Sequence, residues 1–176
     1  MQPPDRASSR RTRIASAAVR GDQPAAAPLV LRDQILHDAA LGRDALAAQW
    51  LSAVQVSVQL SLRPLGRARR TGQLRREGKL LAVYIANPVP SYRYPTWQFS
   101  PDGQPVRNLA QMLRIMRSLG PFQRESNDLR RTTGWGEVEW FLSPHAILNG
   151  QSPSTVLATD PAGVLLAART EFETHD

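Results

Sequence analysis

Between Arg63 and Lys79 the chain reads "RPLGRARRTGQLRREGK", and nearly every residue in it able to do chemistry is a cation. Arg63, Arg67, Arg69, Arg70, Arg75, Arg76 and Lys79 are opposed by Glu77 alone. At helical spacing, positions 63, 67 and 70 share one face, as do 69 and 76. A helix this basic repels itself unless an anion lies close. A row of guanidinium forks matches the phosphates of double-stranded DNA. These seven residues are candidate DNA contacts. Arg93, between Tyr92 and Tyr94 in "SYRYPTWQF", joins them, because a hairpin tip reaches phosphates or the minor groove. A merely solvated basic surface is the competing reading of the same charge.

Other chemistries find little support. The histidines, His37, His145 and His175, are scattered, and no pair has metal-ligand spacing. There is no cysteine, which excludes a disulfide, a Cys-based zinc site and a thiol nucleophile. The chain contains neither a phosphate-cradling "GxxxxGK[ST]" nor a dinucleotide fingerprint. Ser143 stands two residues from His145, but adjacency in sequence is not nucleophile–base geometry. The expectation is a protein that is not an enzyme and carries no cofactor or metal.

The totals agree with a nucleic-acid partner. Over 176 residues the formal net charge is +7, and the sequence pI of about 11.1 exceeds the value of roughly 9 that marks nucleic-acid binders. Lys79 is the only lysine, a bias that GC-rich coding also produces. No run approaches the roughly 18 apolar residues of a membrane helix. No signal peptide is expected, since Arg10, Arg11 and Arg13 precede no adequate apolar block. A cytoplasmic location follows by default.

Several elements would position the cations. Residues 1–28, rich in Arg, Pro, Ser and Ala, read as a disordered basic tail. From Leu29 to Ala48 the pattern is helical, with Leu31, Ile35 and Ala39 on one stripe, Leu36 beside it, and Gly42 expected to end or bend the helix before a second short one. In "LSAVQVSVQLSL" Ser52 suits the N-cap of a helix carrying Val54, Val58 and Leu62, while the alternation also fits a strand. Pro64 is expected to open the basic helix and Gly78 to cap its end. "KLLAVYIA" and "SYRYPTWQF" then form a β-hairpin around "NPVPS". Trp97 and Phe99, two apart, are expected on one side of a strand, packing the hairpin onto a helix that holds Leu109, Met112, Leu113 and Met116. Asp102-Gly103 turns the chain between the two. Beyond Trp135, two or three short helices carry Val138, Phe141 or Leu142, then Val156 and Leu157, then Val164, Leu165 and Ala168 inward. The fold expected is mainly α with a small β-hairpin. A winged helix-turn-helix-like unit (residues 29–106) precedes a small helical domain (107–176).

The stretch "WGEVEWFLSPHAILNGQSPSTVLA" resembles the toxin-binding domain of the Xre/MbcA/ParS-like antitoxins. Trp140, Leu142, Ser143, Pro144, Leu148, Gly150, Pro153 and Leu157 fall on its pattern, whereas His145, Asn149 and Ser154 depart from it. The preceding segment, with "YPTWQF" and "DGQP", is similar to what leads into this domain in one subgroup, so the likeness spans about residues 50–170. It implies an autoregulating transcriptional repressor that acts as a homodimer. It also implies a partner, a RES-type toxin that consumes NAD, held through Trp140, Ser143, Pro144, His145, Leu148, Gly150 and Pro153. The alternative class is a stand-alone DNA-binding regulator, or a plasmid or phage DNA-organising protein, without a toxin.

Overall fold

The computed structural model describes residues 26–62, 67–86, 88–123 and 133–173. The predicted tail lies outside the described residues up to Ala25, and so do Arg63 and Pro64. The described residues are mainly helical, with one small antiparallel sheet. In chain order they form α1 (Ala26–Ala48), β1 (Leu51–Ser52), α2 (Ala53–Gln59), α3 (Arg67–Arg76), β2 (Val83–Ile85) and β3 (Ser91–Tyr94). Then follow α4 (Leu109–Ser118), α5 (Trp135–Leu142), α6 (Pro153–Val156) and α7 (Pro161–Phe172).

The chain divides into two units, Met1–Asp38 and Ala39–Asp176. The first contributes the opening turns of α1, where Val30, Leu31, Ile35 and Leu36 are all exposed rather than forming the buried stripe that periodicity suggests. Apolar residues stand on more than one side of this helix, so no single face is marked for burial. α1 also runs through Gly42 unbroken, and the second short helix does not form. A lone glycine costs a helix about 1 kcal/mol, which weakens it without ending it.

In the second unit, the stretch that reads as helix or strand is both. Leu51–Ser52 pairs with β3 as a strand, and Ser52 then caps α2. The cap is a reciprocal box: the Gln55 amide N–H donates to Ser52 Oγ, and the Ser52 N–H donates to Gln55 Oε1 at 2.8 Å. That cap sets the helix register and turns Val56 inward, leaving Val54 and Val58 exposed, opposite to the expected stripe. α3 ends as the sequence suggests. Gly78 takes φ +70°, its N–H bonds the Arg75 carbonyl, and the Lys79 N–H reaches back to Leu74, a Schellman closure. The sheet has the order β1-β3-β2, all antiparallel.

Two apolar clusters result, and residues 80–83 run between them. Leu80 and Ala82 join Val56, Tyr94 and Phe99 in the smaller cluster. Leu81 and Val83 join Trp50, α4, α5 and α7 in the larger. This larger cluster draws on both sides of the expected 106/107 boundary, since Trp50, Ile85 and Val106 pack with Met116, Val138 and Phe172. α4 buries Leu109, Met112, Leu113 and Met116, the four residues its pattern picks out, and Ile115 with them.

The segment "YPTWQF" corrects the expectation of a strand. Thr96–Gln98 is a turn of 3-10 helix, so Trp97 and Phe99 do not share a face. Trp97 packs on Phe141 in the larger cluster, at 4.7 Å between rings, and Phe99 enters the smaller one. Between them Gln98 is fully buried. Its amide accepts from the Leu81 N–H at 2.8 Å and donates to the Leu81 carbonyl at 2.9 Å and the Pro95 carbonyl at 3.0 Å. A side chain thus supplies the pairing that a neighbouring strand would give Leu81.

Gly134, at φ +86°, lets the chain approach the sheet from the far side, where a Cβ would strike the Ala82 carbonyl oxygen. The Tyr84 N–H consequently finds the Thr133 carbonyl at 2.9 Å, which occupies the outer edge of β2.

Replacing Gln98 by the similarly sized Met keeps the volume but strands three buried backbone groups. The expected loss in urea unfolding is about 3 kcal/mol, given roughly 1–3 kcal/mol per orphaned group and partial relaxation. A loss below about 1 kcal/mol contradicts the assigned role.

Candidate nucleic-acid interface

α3 has one buried side and one basic side. Thr71 is buried and Leu74 packs onto the smaller cluster. Arg69, Arg70 and Arg76 are exposed. Arg69, Gln73 and Arg76 succeed one another at helical spacing along the outer face. The only acid of the segment is already engaged: Glu77 accepts from Gln73 at 2.6 Å and pairs with Lys79 at 2.9 Å. Those two hydrogen bonds, Lys79's first, hold its carboxyl below the ordinary range. Arg70 donates to the neutral Gln73 at 2.8 Å. No ion pair among the described residues includes Arg69, Arg70, Arg75, Arg76 or Arg93. Arg67 opens α3.

Arg75 behaves differently from its neighbours. It is half-buried, with its guanidinium carbon 3.7 Å from the centre of the Tyr92 ring, a stack worth about 0.5–2 kcal/mol. Its Nε is buried without a hydrogen-bond partner. Tyr94 lies beside it, and burial raises its phenol above the usual value near 10 while the Arg75 charge opposes the rise. Sequence reasoning placed Arg75 among the outward cations and missed this stack. The available signal was the period-two spacing of Tyr92 and Tyr94, which puts both rings on one side of a strand.

Arg93 is not at the hairpin tip. It sits within β3, the middle strand, opposite Ser52 on one side and Val83 on the other. The tip carries the exposed Pro88 and Val89, because the paired strands begin only at Ile85 and Ser91.

Of the seven residues predicted to hold a protein partner, three face inward. Trp140, Leu148 and Pro153 are core residues. Trp140 donates from Nε1 to Glu171 at 2.7 Å. His145 lies against the Trp140 ring, with Nε2 3.1 Å from the Trp140 carbonyl and Nδ1 3.4 Å from Glu171. Ser143 Oγ donates to the Glu139 carbonyl at 2.8 Å. Pro144 and Gly150 are exposed, with Ile147 between them 46% exposed. Among the described residues no group of three or more His, Asp or Glu is placed to hold a metal ion, and no helix is long and apolar enough to cross a membrane.

No family model matches the chain, and no curated protein matches it significantly. It is similar in fold to the NMR structure of Rv2175c, with a TM-score of 0.52 and 21% identity over 70% of this chain and 80% of that one.

The Tyr94 environment has a pH consequence. A phenol whose folded pKa is raised stabilises the fold fully below the unfolded value of about 10, and that contribution is lost as pH rises through the folded value. Absorbance titration at 295 nm is expected to show a tyrosine ionising above pH 10, coincident with falling stability. Tyr94→Phe should abolish that step, and its persistence in the variant contradicts the assignment.

Proposed function

We propose that the chain is a DNA-binding regulator that lays the outer face of α3 against duplex DNA. The observation that carries this reading is the exposed row of Arg69, Arg70 and Arg76, which has no carboxylate ion-pair partner among the described residues. A protein tolerates such uncompensated like charge where a polyanion completes the balance. The element order β1-α2-α3-β2-β3, with β1 pairing β3, supports it by suiting a winged helix-turn-helix reading, in which the second helix would enter the major groove. In that frame the exposed arginines reach phosphates or guanine edges. Lys79, tied to Glu77, contributes less.

The antitoxin role rests on the sequence resemblance. With Trp140, Leu148 and Pro153 committed to the core, the surface left for a RES-type toxin is the turn bearing Pro144, Ile147 and Gly150. A toxin partner predicts a stoichiometric protein that co-purifies with the chain from its native lysate and survives nuclease. Recovery of nothing but nuclease-sensitive material leaves a stand-alone regulator.

Replacing Arg69 and Arg70 together by Ala should weaken duplex binding at least tenfold and flatten log K against log[salt] by about 0.9 for each phosphate no longer neutralised. Fluorescence anisotropy over a salt series reads both quantities. Unchanged affinity and slope contradict the interface.

A further inference from the structure

Between the start of α2, one side of α3 and the sheet lies a groove of 420 Å³, within the size range of small-ligand sites. Ser52, Gly72, Arg75, Arg76, Tyr92 and Arg93 line it, and none of its lining residues is acidic. Arg75, Arg76 and Arg93 border it with no acidic residue among its lining, while Arg93 also borders the adjoining groove beside Asp44; like charges in a partly buried site repel one another more strongly than in water. The Tyr92 ring fixes the position of Arg75, so little side-chain freedom is lost when an anion docks. Gly72 of α3 borders this space. A Cβ there would meet nothing closer than Arg76 Nη1, at 3.4 Å.

We propose that this groove is a phosphate site, in which Arg75, Arg76 and Arg93 supply the charge and the Tyr92 ring the platform. This builds on the DNA-binding reading if the phosphate belongs to a DNA backbone. The same chemistry also accepts a free phosphorylated molecule, which would then act as an effector beside the DNA-facing helix. Arg93, displaced from the hairpin tip, acquires a role here that does not depend on the outer face of α3.

The test uses the full chain, inorganic pyrophosphate and a short DNA duplex at constant ionic strength. Calorimetry should detect pyrophosphate binding to the unaltered protein. Arg93→Gln should weaken it about tenfold, as expected for removal of one charge-assisted hydrogen bond. Gly72→Leu, which fills the groove while favouring the helix, should weaken it comparably with every charge in place. If pyrophosphate and duplex displace one another and both variants weaken DNA binding, the phosphate comes from the DNA backbone. If pyrophosphate binds while Arg93→Gln retains full DNA affinity, the site serves a free phosphorylated ligand. If pyrophosphate does not bind and Arg93→Gln binds duplex as well as the unaltered protein, the proposal is overturned. The Arg69/Arg70 substitution then still judges the DNA interface separately.

Discussion

The fold of residues 39–176 depends on one buried amide. Gln98 satisfies both polar groups of Leu81 and the carbonyl of Pro95 in a region closed to water. Such a group costs stability when unpaired and rigidifies its surroundings when fully paired. Its partners hold residues 80–83 extended, so that Leu80 and Ala82 enter one apolar cluster and Leu81 and Val83 the other. Trp97 and Phe99, on either side of Gln98 in sequence, anchor the same two clusters. Leu81, Val83 and Trp97 thereby pack the hairpin region against α4 and α5.

That arrangement positions the basic elements. α3 leaves the smaller cluster through a Schellman turn at Gly78 and passes directly into the clamped segment, so its inner face is held by Leu74 and its outer face is left to arginines. Arg75 occupies the boundary, where the Tyr92 ring takes the place that a carboxylate would otherwise fill. A second buried tie, the ion pair between Arg117 of α4 and the fully buried Glu137 of α5 at 2.9 Å, holds the helical side together. Leaving that carboxylate without its cation would expose the cost of a buried charge.

Local signals in the sequence carried several elements faithfully. The spacing of Leu109, Met112, Leu113 and Met116 names the buried side of α4. Gly78 marks the end of α3, and Pro153 and Pro161 open their helices, as proline does in a first turn. Readings that depend on distant partners failed. Trp97 and Phe99 mimic a strand by their spacing, yet their placement follows from the bond of Gln98 to Leu81, 17 residues away. Val54 and Val58 read as a core stripe, but the box between Ser52 and Gln55 rotates α2 the other way. Trp140, Leu148 and Pro153 fit a partner-binding pattern by residue type, and a pattern of apolar residues does not distinguish an interface from a core. The cations of α3 were legible as a group, whereas the diversion of Arg75 onto Tyr92 required the tertiary pairing of α3 with the hairpin.

The most direct test of α3 as the DNA-facing element is amide chemical-shift mapping of the full chain titrated with duplex DNA at moderate salt. Perturbations concentrated in α3, from Arg69 to Arg76, and in the adjoining β3 are the predicted result. Shifts confined to α5, α6 and α7, or no shifts at a concentration where the duplex is bound, would contradict it.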